Sequence, residues 1–243
     1  MSAIHRGEYG TDGPKFVIGC GVATLACLII AAALAWQGWL WLAGLSLVIA
    51  LVCALTTASF LYTTWRGKFS VWDELLDSLH LKGDETLLDV GCGRGAVLLL
   101  AAQRLPRGRA TGVDIWSAEF QSGNSEAAVL KNAEAEGVAD RVELKTSDMR
   151  ALPFSDRSFD VVTSSLAIHN VRDADGRKRA LDEILRVLKP GGSALIADIL
   201  NVDDYARLAA ARPDMSARVK DLGWRFWFGG PYLPTRLVTI TRR

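Results

Sequence analysis

The hydrophobic pattern divides the chain into two unlike parts. FVIGCGVATLACLIIAAALAW, from Phe16 to Trp36, carries no charge, and neither does WLWLAGLSLVIALVCALTTASFLY, from Trp39 to Tyr62. Each run is long enough to cross a hydrocarbon core of about 30 Å as a helix. Only Gln37 and Gly38 separate them, so the pattern predicts a helical hairpin with a tight turn. Trp36, Trp39 and Trp41 around that turn suit the headgroup level of a bilayer. Small residues (Gly19, Gly21, Ala31 to Ala33, Gly44, Ala50) would let the two helices approach closely. A signal peptide cleaved near AAALA (31–35) would account for the first run, but the second would still anchor the remainder. A hairpin buried in a soluble core is disfavoured by two adjacent charge-free runs of more than about 18 residues.

After Lys68 the pattern becomes that of a globular domain. SVWDELLDSLHL (70–81) places Ser70 three residues before Asp73, a capping pattern, and puts Trp72, Leu75, Leu76 and Leu79 on one helical face. The expected strands are 86–90, 109–114, 142–147, 159–165 and 193–199, with helices near 95–104, 124–136, 175–188 and 203–211. This alternation predicts a doubly wound, Rossmann-like α/β sheet that takes its ligand beyond the carboxyl ends of its strands. The chain thus reads as an N-terminal tail (1–15), a two-helix transmembrane hairpin (16–65) and an α/β domain (66–243).

Composition changes this picture little. The chain has 243 residues, 50% of them hydrophobic, and a net charge of +1, which argues against nucleic acid as a partner. Of the four cysteines, Cys20, Cys27 and Cys53 lie in the apolar part, and the three histidines are scattered, so no metal site is expected.

Candidate chemistry begins at LLDVGCGRG (87–95), where an apolar strand runs into Gly91, Gly93 and Gly95. Glycines there permit a sharp turn and a close approach of backbone N–H groups to a ligand. Gly91, Gly93 and Ala96 also satisfy a dinucleotide-binding spacing. Asp89 argues against it, because a carboxylate at the mouth of the turn repels a pyrophosphate and favours an ammonium or sulfonium group. Asp114, ending the second strand, is placed to accept both ribose hydroxyls. Asp148, after the third strand, could accept from an exocyclic amine. Acids at three successive strand ends, with Arg94 the one basic residue in the turn, describe an adenosyl ligand without phosphates.

The ordered set LLDVGCGRG (87–95), GVDIW (112–116), SDMRALPF (147–154), FDVVTSSLAIHNV (159–171) and RVLKPGGSALIADI (186–199) resembles the class I S-adenosylmethionine-dependent methyltransferases of small-molecule type over roughly residues 70 to 243. The resemblance implies a seven-stranded sheet closed by a reversed C-terminal hairpin, which WRFWFGG (224–230) and TRLVTITRR (235–243) fit. It implies that S-adenosylmethionine lies with its methionine part facing Asp89, Gly91 and Gly93, its ribose on Asp114, Ile115 or Trp116 over the adenine, and Asp148 and Met149 at the adenine edge. Ser164 and Ser165 would stand beside the methyl donor. LAIHNV (166–171) lacks the signature of many nucleic-acid and protein N-methyltransferases and identifies no substrate.

In-line methyl transfer needs positioning more than covalent help. A base is useful for some acceptors, and His169 is the candidate, with a structural hydrogen-bonded histidine as its plain alternative. Asp198 near the cleft reads equally as a structural acid, Asp173 as the start of a helix, and Cys92 as a small residue that fits the turn. Arg6 and Lys15 precede the hairpin, while Arg66 and Lys68 follow it, so both termini are expected on the cytosolic side of a cytoplasmic membrane. The expected acceptor is a lipophilic small molecule held near the bilayer. A non-catalytic membrane adaptor retaining the cofactor fold and a membrane-bound NAD(P)-dependent oxidoreductase are the alternatives, separable by which cofactor binds.

Overall fold

The computed structural model describes residues 5–243. Two helices come first, α1 (Pro14–Trp36) and α2 (Leu40–Tyr62), joined by a three-residue turn. Both are long and apolar enough to cross a membrane, and most of their surface is uncovered by protein. They pack through Ala31, Ala43, Ser46 and Ala50, and the Ser46 hydroxyl donates to the Cys27 carbonyl at 2.8 Å. The small-residue expectation is only partly met. A Cβ added at Gly19, Gly21 or Gly44 would touch nothing within 4 Å, so these glycines lie off the helix contact.

No loop follows the hairpin. The second helix continues through one π-helical turn (Thr63–Gly67) into α3 (Lys68–Asp77), giving one helical run from Leu40 to Asp77. Ser70 is therefore not a cap but a mid-helix residue whose hydroxyl accepts from Arg225. The capping pattern misleads here because no proline lies upstream within this run and the polar stretch Thr63–Gly67 stays helical as a π-helical turn. Gly67 has a positional reason: a Cβ at this site would overlap the Arg225 carbonyl oxygen.

The remaining elements are β1 (Thr86–Val90), α4 (Ala96–Gln103), β2 (Arg109–Asp114), α5 (Glu126–Ala135), β3 (Val142–Thr146), β4 (Phe159–Ser165), α6 (Ala174–Val187), β5 (Leu188–Asp198), α7 (Val202–Ala210), β6 (Met215–Asp221) and β7 (Arg236–Arg242). They form a seven-stranded sheet in the order β3-β2-β1-β4-β5-β7-β6, with β7 antiparallel to both neighbours. Successive residues in β1 feed opposite cores. Leu87 packs with the side chains of α3, α4 and α5, while Leu88 packs with those of α6 and α7. Trp72 of α3 is fully buried on the first face, so the second apolar helix is built directly into the domain.

Two strand expectations are corrected. β5 begins at Leu188, so Pro190, Gly191 and Gly192 form an irregularity within the strand rather than a turn before it. The strand beside β7 is Met215–Asp221, not residues 224–230. Its side chains after Met215 are mostly solvated, as suits an edge strand, and it carries little hydrophobic signal. The aromatic stretch instead makes a 3₁₀ turn (Trp224–Phe226) and a loop, because Gly223, Gly229 and Gly230 take positive φ. Its rings serve the hairpin, with Phe228 edge-on to Phe60 and Trp224 stacked on Tyr62.

Residues 5–13, which the sequence marks only as a tail, form a strap over the domain. Glu136 accepts from the N–H groups of Arg6 and Gly7, Asn132 from that of Glu8, and Asp12 bridges to Gln121.

Gly67→Ala should lower the thermal unfolding midpoint of the detergent-solubilised protein, at a cost of about 1–3 kcal/mol, because the helix and the Arg225 backbone must separate. Gly44→Ala, with open space around it, should leave the midpoint unchanged.

Candidate active site

The order of the sheet reverses between β1 and β4, and a cleft of about 660 Å³ opens there at the carboxyl ends of the strands. The turn after β1 is its floor. Gly91 and Gly93 hold φ of 73° and 53°, and the N–H groups of Gly91 and Cys92 donate to the Val113 carbonyl. A Cβ on Gly91 would overlap that of Ala167, and one on Gly93 would overlap the Gln121 amide oxygen. Side chains here would fill the cleft or push its walls apart.

Asp89 sits beneath the turn at 2% exposure and accepts from the Thr163 hydroxyl at 2.8 Å. Burial pushes its pKa up to about 7, against the lowering effect of the Thr163 bond. Asp114 is held from three sides. It accepts from the Gly93 N–H at 2.8 Å, from the Trp116 N–H at 2.7 Å and from the Asn124 amide at 3.2 Å. The other end of that amide, Asn124 Oδ1, is buried without a partner on the cleft wall. Ile115 lines the cleft, whereas the Trp116 indole donates to Thr146 and lies outside the lining.

Asp148 and Met149 also reach the cleft, but the Asp148 carboxylate is gripped by Arg150 at 2.5–3.0 Å, which holds it below the usual carboxylate range. Ser165 lines the cleft and accepts from the Trp72 indole at 2.9 Å. Ser164 does not reach it. Its side chain is fully buried and donates to the Val90 carbonyl, because neighbouring strand residues point to opposite faces. Cys92 is buried and its thiol is pushed up by that burial, consistent with a packing role.

His169 follows β4 on a short 3₁₀ turn (Ile168–Asn170) and lines the cleft. Its Nδ1 meets Asp198 Oδ1 at 2.5 Å, and its backbone N–H donates to Oδ2 of the same carboxylate at 3.1 Å. Asp198 is 1% exposed and also accepts from the Ile199 N–H. The two residues that the sequence leaves as separate alternatives therefore form one dyad, with Nε2 the remaining ring nitrogen. Asp173 caps α6 by accepting from the Gly176 N–H.

Several cleft residues carry no local sequence signal. Asp12 comes from the strap, Gln121 and Asn124 from the loop after β2, Lys68 from the start of α3, Phe16 and Phe60 from the base of the hairpin, and Phe228 from the loop packed against that base. Arg94 carries the signal yet turns away, its guanidinium donating to the carbonyls of Glu8, Ser122 and Gly123.

Residues 88–196 match the family model described as a methyltransferase domain. The chain is 35% identical over 141 residues to the ubiquinone/menaquinone biosynthesis C-methyltransferase UbiE of Roseobacter denitrificans, covering 58% of this chain and 53% of that protein. It is 34% identical over 141 residues to the sterol 4-C-methyltransferase strm-1 of Caenorhabditis elegans, covering 55% and 39%. The chain thus spans about half the length, or less, of the curated relatives it matches. Among solved structures it is similar to the cyclase SpnF (TM-score 0.56, 20% identity, 70% of this chain and 80% of that one). It is also similar to a TehB-like SAM-dependent methyltransferase of Corynebacterium glutamicum (TM-score 0.53, 18% identity, 71% and 88%). The fold is that of these structures, and residues 88–196 are the segment similar to methyltransferase domains.

Asp89 gives this site a pH dependence. Its folded pKa of about 7 lies above the ordinary 3.8, so the folded chain holds this proton more tightly than the unfolded one. Its contribution to ligand-free stability is present at low pH and is lost as pH rises toward 7. Affinity for a cationic ligand runs the other way. Titration calorimetry should show S-adenosylmethionine binding strengthening by up to about tenfold per pH unit below 7 and levelling above it, and Asp89→Asn should abolish that dependence.

Proposed function

We propose that this protein transfers a methyl group from S-adenosylmethionine to a lipophilic small molecule drawn from a membrane into which its hairpin is inserted. The observation that carries the proposal is the make-up of the cleft. One wall is the acid-lined turn, and another is the aromatic base of the hairpin, with the Phe16 ring tilted against Phe60 and Phe60 edge-on to Phe228. A polar cofactor floor and an apolar mouth between membrane-length helices suit an acceptor whose tail remains in lipid.

The residues present fit the cofactor. Glycines clear its path, Asp114 is fixed by backbone donors in a pose suited to ribose hydroxyls, and the unpartnered Asn124 Oδ1 lacks a donor beside it. Asp89 is an acid whose ionised form lacks a cation. When bound, S-adenosylmethionine supplies an electrophilic methyl group on a sulfonium sulfur. The protein's part is to align the acceptor with that methyl carbon at near-attack distance, which can supply much of the acceleration. His169 Nε2 would take the proton that leaves the acceptor atom as the methyl group is transferred. Asp198 fixes the ring through Nδ1 and stabilises the imidazolium that results.

The hairpin would lie in a cytoplasmic membrane with strap and domain on the cytosolic side. Supporting this, α1 and α2 leave Ile18, Val22, Leu25, Ile29, Leu47 and Leu51 largely uncovered, an apolar surface far beyond what a water-facing protein carries. Trp36, Trp39 and Trp41 lie at the turn, at the end of the hairpin opposite the domain.

Full-length protein in lipid nanodiscs, given methyl-labelled S-adenosylmethionine and acceptor pairs with one head group and short or long alkyl tails, should show kcat/KM rising with tail length. Equal turnover of the short, water-soluble member would sink the lipophilic reading. His169→Ala should lower kcat by about 10²–10⁴-fold while leaving S-adenosylmethionine affinity within about twofold.

A further inference from the structure

We propose that Lys68, supplied by the helical run that continues the second apolar helix, is the cation that receives the amino-acid carboxylate of S-adenosylmethionine. The proposal rests on the cofactor reading above and extends it to a residue outside the matched domain segment. S-adenosylmethionine carries two positive centres, which the acids of the cleft suit, and one carboxylate, which those acids would repel. A site lined by Asp12, Asp89 and Asp114 therefore needs a cation on the side that receives the methionine part.

Lys68 meets that need in three respects. It is 4% exposed and lines the cleft together with Gly91 and Gly93. Among the described residues its ammonium makes one hydrogen bond, to Asp12 Oδ2 at 2.7 Å, although the group has three donors, and a buried charge is costly when so thinly paired. It is also joined to the glycine turn by a short chain of bonds. Asp12 Oδ1 accepts from the Gln121 amide at 2.9 Å, and Gln121 Oε1 accepts from the backbone N–H of Arg94 at 2.8 Å. The other basic residues on the cleft wall are less suited. Arg150 is committed to Asp148 at the edge assigned to adenine, and Arg172 is solvent-exposed.

This gives the hairpin a role beyond anchoring. Its second helix delivers the ammonium, and the strap that precedes its first helix delivers Asp12, which fixes that ammonium in place. The cofactor site is completed by the two segments that flank the hairpin.

The test compares two nucleosides on full-length protein in nanodiscs by titration calorimetry. S-adenosylhomocysteine carries the carboxylate, and 5′-methylthioadenosine shares the adenosyl thioether but lacks the amino-acid part. Lys68→Met should weaken S-adenosylhomocysteine by about 10- to 100-fold, the loss expected for one charge-assisted hydrogen bond, and leave methylthioadenosine within about twofold. Lys68→Arg, which keeps the charge, should restore most of the lost affinity. Equal weakening of both nucleosides would assign Lys68 a structural role and overturn the proposal, as would no change in either. Wild-type protein that bound neither nucleoside would instead overturn the cofactor reading on which it rests.

Discussion

The architecture depends on the uninterrupted helical run from Leu40 to Asp77. Its first half presents aliphatic side chains outward, and its second half buries Phe69, Trp72 and Leu76 against the sheet helices. The run is unbroken and its second half is packed into the domain, so no linker separates the hairpin from it. The π-helical turn at Thr63–Gly67 is the one irregularity in this run, and it lies where the helix meets the loop after β6. There the Thr63 hydroxyl donates to the Trp227 carbonyl at 2.7 Å, and Arg225 reaches Glu74 with both terminal guanidinium nitrogens. A tether on a flexible linker would only raise local concentration. A rigid one also fixes which way the cleft faces.

Rigidity explains why residues distant in sequence share one site. Phe16 and Phe60 arrive from the two hairpin helices, Phe228 from the loop near the C-terminus, and Asp12 from the strap. The strap lies across α5 and the loop after β2, where Gly13 donates to the Phe120 carbonyl and Thr11 to Ser122. That loop also presents Gln121 and Asn124 to the cleft. The glycine turn, the aromatic mouth of the cleft and the membrane-length helices are thus parts of one packed unit.

Electrostatics inside the cleft follow from burial. Asp89 lies under the glycine turn with one hydroxyl partner, so its proton is held to near neutral pH until a cation arrives. Asp198 is as deeply buried but accepts from two backbone N–H groups and meets a histidine nitrogen. One acid is thereby suited to a ligand's charge and the other to aligning a ring, although both lie at or next to the end of a strand.

The sequence by itself determined the features governed by short-range periodicity. These include the two charge-free runs and their turn, the strand–helix alternation, the glycine turn and the acids at strand ends, because spacing of 2 or 3.6 residues and glycine's freedom are local properties. Asp89, Asp114 and Ser165 were legible in this way, while Ser164 was not, since its face depends on the strand's setting in the sheet. Only the tertiary structure decided the rest. The edge strand Met215–Asp221 carries almost no apolar pattern, and the aromatic stretch after it looked more strand-like than it is. The absence of a break after Tyr62, the pairing of His169 with Asp198, and the meeting of Lys68 with Asp12 across 56 positions all depend on long-range packing. No local pattern encodes such contacts, because each is set by where the whole sheet places the chain ends that meet there.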